Sequence, residues 1–230
     1  MKVPINLIKK NKILYFFAKK IQYRSIFSVS SKRIWGKGNI ILISKKSMLF
    51  NISIQIIGNN NQIFIGDECV LERISIFIKG NNNRIEISEK VRANHYASWW
   101  IEDNNNLICV GKNSGIGDAH LAVTENETSI SIGTNCMFAK GIEIRTGDSH
   151  SIFDNISGKR INFAKKVVIG DHVWIGSQVS VLKGAVVPNN SVVATRSVVT
   201  KCFSEEGVLL GGIPAKVIKN NISWDRERIL

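Results

Sequence analysis

The sequence predicts an all-β solenoid, a chain wound into stacked coils, and two patterns carry the prediction. An asparagine-rich turn followed by a short alternating strand occurs four times at a near-constant period, and a six-residue repeat then runs unbroken through the C-terminal half. The first pattern comprises Gly58-Asn-Asn-Asn-Gln-Ile-Phe-Ile-Gly66, Gly80-Asn-Asn-Asn-Arg-Ile-Glu-Ile-Ser88, Asp103-Asn-Asn-Asn-Leu-Ile-Cys-Val-Gly111 and Glu125-Asn-Glu-Thr-Ser-Ile-Ser-Ile-Gly133, whose starts are 22, 23 and 22 residues apart. One alternating strand fits any half-buried sheet. Four at one period require that each coil stack on the last.

The finer period begins at Ile169, with hexads opening at Ile169, Ile175, Val181, Val187 and Val193, and earlier copies at Ile65, Val110, Ile116 and Ile132. Six residues make a short strand plus a corner, and three hexads close a triangular coil of about 18 residues. The first residue of each hexad points inward and stacks on its equivalent one coil away. The fifth must be small, because the interior is tightest there; Cys69 and Cys136 fill it, alongside Val173, Val179, Ala185, Ser191 and Ser197. These cysteines are therefore expected to be small core residues. Glycine at the second position is expected to serve a corner with unusual backbone angles.

From about Ile52 to Lys219 the hexads resemble those of the hexapeptide-repeat acyltransferases. The resemblance implies a left-handed parallel β-helix, a homotrimer, and active sites in the clefts between neighbouring subunits. Pro188 and Ala194 depart from the pattern by standing where glycine is usual, and Arg196 stands where a glycine often lies beside the coenzyme. The expected organisation is a basic N-terminal cap segment over residues 1–50, the β-helix over 51–213 with a loop near 151–166, and a short C-terminal helix over 214–230. Pro214 suits the first turn of that helix. Residues 3–24 alternate apolar and basic positions at helical spacing, which predicts an amphipathic helix.

At 230 residues and 44 % hydrophobic, the chain can bury one sizeable core. No run of 18 apolar residues occurs, so no transmembrane helix is predicted. Lys9, Lys10 and Lys12 interrupt any signal-peptide core, so a cytoplasmic location is expected. The net charge of +13 is lopsided: twelve Lys and Arg lie in residues 1–66, where the first acid, Asp67, has not yet appeared. Such a segment suits weak contact with an anionic membrane surface at the inner face, or with an acidic glycan; a solvated basic face is the plain alternative. No zinc, helix-turn-helix or RNA-binding signature accompanies the charge, so nucleic acid is not an expected partner. The four cysteines form no CxxC pair, and no metal is expected.

Acyl transfer to a hydroxyl needs a general base, a donor for the thioester oxyanion and a slot for the donor's arm. His150 lies in Arg145-Thr-Gly-Asp-Ser-His-Ser-Ile-Phe-Asp154, ahead of a segment too long for one coil, so a loop must protrude there. Flanked by Asp148 and Asp154, it is a candidate oriented base. Thr146-Gly-Asp-Ser-His150 with Trp174 24 residues later is similar to the active-site pair of the galactoside, maltose and capsule or polysialic-acid O-acetyltransferases. The resemblance implies that His150 is the base and that Trp174, at an outward sixth hexad position, lines the acyl and pantetheine slot. It also implies acetyl-CoA as the donor, with Ser177, Thr195 and Thr200 lining the pantetheine channel. Lys201, Lys216 and Lys219 would reach the phosphates. Asp118, His120, Glu125 and Asp148 are candidates for holding a carbohydrate acceptor, with a polar solenoid surface as the alternative. His95, Tyr96, Trp99 and Trp100 form an aromatic cluster suited to sugar stacking or to packing.

The function expected is acetyl-CoA-dependent O-acetylation of a sugar hydroxyl in a capsular or lipopolysaccharide unit or its precursor. A sugar-nucleotide N-acetyltransferase is the first alternative. A metal-dependent hydratase like the γ-class carbonic anhydrases is the second, although the closely spaced histidine pair needed for its three-histidine site is missing. An inert β-helical scaffold is the third.

Overall fold

The computed structural model describes residues 29–94 and 96–229; the helix expected over residues 3–24, and His95, lie outside them. The described chain is a left-handed parallel β-helix of about eight coils, triangular in section. Face A carries eight strands, from Val29–Trp35 through Ile52–Ile57, Ser75–Lys79, Ser98–Glu102, His120–Val123, Glu143–Arg145 and Ser180–Val181 to Val198–Val199. Face B carries seven, from Ile40–Ile43 to Val186–Val187. Face C begins at Met48–Phe50, passes through a bridge at Gly115, and ends at Trp174–Ile175, Val192–Val193, Leu209–Gly212 and the antiparallel Ala215–Lys219.

The pairing registers explain both sequence periods. On face A, Ile54 pairs with Ile76, Ile76 with Trp99, Trp99 with Leu121 and Leu121 with Ile144, steps of 22 or 23 residues. Val181 then pairs with Val199, a step of 18. The longer coils spend their extra residues at one corner, between faces A and B, where the asparagine turns stack. Asn59, Asn81 and Asn104 each offer a backbone N–H at 2.9 Å to the side-chain oxygen of the asparagine one coil on, ending at Asn126. Asn61, Asn83, Asn106 and Thr128 do the same in the opposite direction, at 2.8–3.0 Å. Backbone donors that would otherwise go unpaired at a turn are thereby satisfied by side chains.

From the second coil onward the inward columns are buried, with Ile52, Ile54, Ile63, Ile76, Ile85, Ile108, Ile130 and Ile144 stacked coil on coil, while Ile41 and Ile43 of the first coil are half-buried. Burial of each such side chain contributes about 1.5–3 kcal/mol. The fifth hexad residues Cys69, Cys136, Val173, Val179, Ala185, Ser191 and Ser197 are all buried, as expected. Burial pushes the Cys136 thiol up to about 11, which keeps it protonated and unreactive.

Three expectations need correction. At Gly66, Gly111, Gly133, Gly170 and Gly176 the second-position glycine serves close approach between coils rather than an unusual backbone angle, whereas Gly117 does adopt the left-handed angle expected, with φ 48°. A Cβ on Gly133 would lie 2.5 Å from the Gly170 carbonyl oxygen, and one on Gly176 would lie 2.7 Å from the Thr195 nitrogen. The left-handed angle falls instead on the fourth residue, as at Asn113, Asn135, His172, Gln178, Asn190 and Arg196. The solenoid also begins before residue 51, because Val29–Trp35, Ile40–Ile43 and Met48–Phe50 already form a coil, pairing Ile41 with Ile63. That coil lacks the hexad glycine, so its repeat is cryptic. Finally, the described part of residues 214–230 contains no helix: Ala215–Lys219 is a strand antiparallel to Leu209–Gly212. The last coil offers an unpaired edge, and Val217 and Ile218 are better suited to satisfying it than to a helix.

Candidate active site

Between Ile144 and Val181 the register advances by 37 residues instead of 18, and the surplus leaves the solenoid at the A/B corner. The departure has a closed neck, since Lys165 N–H donates to the Thr146 carbonyl at 2.8 Å. Thr146 itself is buried, with its hydroxyl bonded to the Thr124 amide and carbonyl at 2.9 and 3.2 Å. The asparagine ladder thus gives way to a threonine pair at the coil from which the loop emerges. His150 stands just beyond this neck.

One side chain, Asn162, organises the inside of the loop. It is buried, and its amide donates to the His150 carbonyl at 2.7 Å and to Asp148 Oδ2 at 2.9 Å. Its Oδ1 accepts from the Ile152 amide at 2.8 Å and from Arg160 Nε at 3.2 Å. Arg160 also ion-pairs with Glu125, and Lys183, one coil on, ion-pairs with Asp148. His150 N–H donates to the Asp148 carbonyl at 2.8 Å. The backbone around His150 is therefore fixed from both sides. Its imidazole is exposed and makes no hydrogen bond among the described residues, so both ring nitrogens are open to a substrate. Asp154 does not flank it: that carboxylate accepts the Ser157 amide at 2.6 Å in the turn of the loop.

The Lys183 ammonium holds the Asp148 carboxyl below the usual carboxylate range, outweighing an opposing contribution from burial, and the Asn162 amide adds a lesser lowering. A lowered folded-state value stabilises the fold above the ordinary carboxylate range, and the contribution is lost as pH falls through the folded value. Lys183→Met is therefore expected to destabilise the protein at neutral pH, with the difference from wild type vanishing in acid. Denaturant midpoints measured across pH check this; a difference that persists in acid would assign the loss to packing of the lysine stem.

Trp174 lies on face C, 38 % exposed, with Met137 and Val192 as its neighbours in register. Ser177 and Thr195 follow at the C/A corner, stacked so that Arg196 N–H donates to the Ser177 carbonyl at 2.9 Å. Lys219 continues the Trp174 column across the face through Val192 and Leu209. An outward indole, a row of hydroxyls and a terminal cation thus lie along one edge of the solenoid.

No protein-family profile matches the chain. Among individual proteins, the polysialic acid O-acetyltransferase of Neisseria meningitidis is 37 % identical over 149 residues, which cover 60 % of this chain and 69 % of that one. The polysialic acid O-acetyltransferase of Escherichia coli O1:K1 is 37 % identical over 119 residues, 52 % of this chain and 38 % of that one. This chain therefore spans well under half of the E. coli protein. The crystal structure of a polySia-specific acetyltransferase superposes with a TM-score of 0.77 at 32 % identity, covering 87 % of this chain and 90 % of that one. The chain belongs to the hexapeptide-repeat O-acetyltransferases.

Within this O-acetyltransferase fold the remaining candidates divide by corner. Glu125 and Asp148 meet at the loop neck through Arg160 and Asn162, next to His150. His120 lies on face A, its Nε2 3.9 Å from Glu143, on the strand that leads to Glu125. Asp118 is at the far end of that strand, accepting the Gly141 amide at 2.5 Å. Thr200 and Lys201 follow the last face A strand at the A/B corner, with Lys201 over the Phe203 ring, away from Lys216 and Lys219 on the edge strand of face C. His150 and Trp174 belong to different sides of one chain, and so do His150 and His172, the latter at the B/C corner. Asn162, Arg160 and Lys183 escaped the sequence reading because no motif marks them; their roles depend on how the loop folds back.

Proposed function

We propose that the chain transfers an acetyl group from acetyl-CoA to a sugar hydroxyl of a surface polysaccharide, or of its precursor. The observation that carries this reading is His150, held at the neck of a loop with an open imidazole, in a chain whose fold and sequence are similar to those of polysialic acid O-acetyltransferases. The residues fit the donor: the exposed Trp174 indole and the Ser177 and Thr195 hydroxyls suit an apolar, amide-bearing arm, and Lys219 and Lys216 suit its phosphates. Acetyl-CoA supplies the acetyl group as an activated thioester. His150 takes the proton of the acceptor hydroxyl as that oxygen attacks, and the imidazolium returns it to the departing sulfur. Asp148 and Glu125 remain at the loop neck to accept hydrogen bonds from acceptor hydroxyls.

A site that uses both His150 and Trp174 takes them from two copies, since one chain sets them on separate sides. The assembly we propose is a homotrimer with a site in each cleft. Contact of the basic segment with an anionic membrane or glycan, and a location on the cytoplasmic side, belong to the same reading. Among the described residues no helix is long and apolar enough to cross a membrane. The test is incubation with acetyl-CoA and a panel of capsular and lipopolysaccharide glycans, with mass spectrometry of the product. Gain of one acetyl mass on a base-labile ester supports the reading; an alkali-stable amide would move it to N-acetylation, and no transfer to any glycan would remove it.

A further inference from the structure

Residues 220–229 leave the edge strand and run back along the B/C corner towards earlier coils. All are exposed except the half-buried Ile222 and Trp224, which is 8 % exposed. The Trp224 indole lies flat on the His172 imidazole, with centroids 4.3 Å apart and planes 10° from parallel. Its Nε1–H donates to the His172 carbonyl at 2.8 Å. Two residues on, Arg226 Nη2 donates to the carbonyls of Cys136, Asn113 and Asn135 at 2.8, 3.1 and 3.3 Å. One strap thus ties down three successive coils.

The corner beneath it is a column of left-handed residues, Asn113, Asn135, His172 and Asn190. In this column only the imidazole of His172 gives a broad flat face, and it still holds its place in the ladder through Nδ1 and Asn190 Oδ1 at 3.2 Å. Histidine here has a use that asparagine could not serve: it seats Trp224. Two residues beyond His172 comes Trp174, whose ring lies 6.1 Å from that of Trp224 at a 46° tilt. Trp224 therefore covers one flank of the exposed indole.

We propose that Trp224 is a positioning residue for Trp174, and that the strap forms one wall of the groove that takes the pantetheine arm. This rests on the reading of Trp174 as part of the acetyl-CoA slot. Without the covering ring and the bond to the His172 carbonyl, Trp174 gains rotameric freedom, and the donor must order it on binding. The contacts of Trp224 run to His172 and Trp174, on the donor side of the proposed cleft and not to the base that a neighbouring copy supplies, so kcat at saturating donor is expected to change little.

The test compares wild type, Trp224→Ala, Trp224→Phe and Arg226→Gln, reading coenzyme A binding by calorimetry and kcat and KM for acetyl-CoA. For Trp224→Ala, Kd and KM are expected to rise about tenfold or more with kcat within about threefold, the split that marks loss of donor binding rather than of chemistry. Trp224→Phe retains a ring on His172 but loses the N–H, and falls between. A lower Tm with unchanged Kd and KM would make the strap a clasp alone and overturn the proposal. Should Trp224→Ala fail to fold, wild-type Kd values for both Trp224→Phe and Arg226→Gln overturn it equally. Wild-type protein that fails to bind coenzyme A would instead remove the donor reading, and the proposal with it, before any variant is compared.

Discussion

His150→Ala is expected to lower kcat by about 10²–10⁴-fold, the range for loss of a general base, while coenzyme binding and Tm stay close to wild type. Stability is spared because the imidazole is exposed and bonds to nothing among the described residues; the local contacts run through the backbone, His150 N–H to Asp148 and Asn162 to the His150 carbonyl. Those contacts survive the substitution. Asn162→Ala is a useful companion, since it removes four hydrogen bonds that shape the loop while leaving the imidazole in place. A His150→Ala variant that keeps more than about a tenth of wild-type kcat, well above the range for a lost base, would strike His150 from that role.

The second large effect concerns mixing. His150→Ala and Trp174→Ala proteins are each expected to be severely impaired alone, but refolding them together should restore activity to about a quarter of wild type, the share of clefts that receive one intact His150 and one intact Trp174 by random assortment. The geometry requires this if the two residues act in one site. Trp174 sits on face C, between Met137 and Val192, whereas His150 follows the face A strand Glu143–Arg145. A mixture no more active than its components, in protein shown to have exchanged subunits, would mean that the two residues never share a cleft.

The parts of the fold that repeat were legible from the residues because a solenoid writes its geometry in the sequence. Inward Ile65, Ile132 and Ile169 and small Cys69 and Cys136 mark the coil wherever they recur. What broke the period was harder to read. The coil beginning at Val29 has Ser44 where Gly66, Gly111 and Gly133 stand in later coils, and Ala215–Lys219 became a strand because the last coil had an edge to satisfy, a property of the stack rather than of the segment. Likewise His150 and Trp174 could be picked out by motif, but Asn162 could not, since its role arises only when the loop folds back on its own neck. Trp224 carried a faint signal, being a lone large aromatic in a polar stretch, but its seat on His172 lies 52 residues away in sequence.

The neck of the His150 loop has a further consequence. Above and below it the coils meet as if nothing had been inserted: Ile144 pairs with Val181, and Lys165 rejoins Thr146. An excursion that starts and ends on one hydrogen bond separates the size of the loop from the integrity of the scaffold. Closing a flexible loop twice as long costs only about 0.6 kcal/mol more. Descendants of this gene could therefore exchange the loop wholesale, short for long or acidic for basic, and inherit an unchanged framework beneath it. In such a lineage, the residues that greet the acceptor would diverge fastest while the coils that carry them scarcely changed.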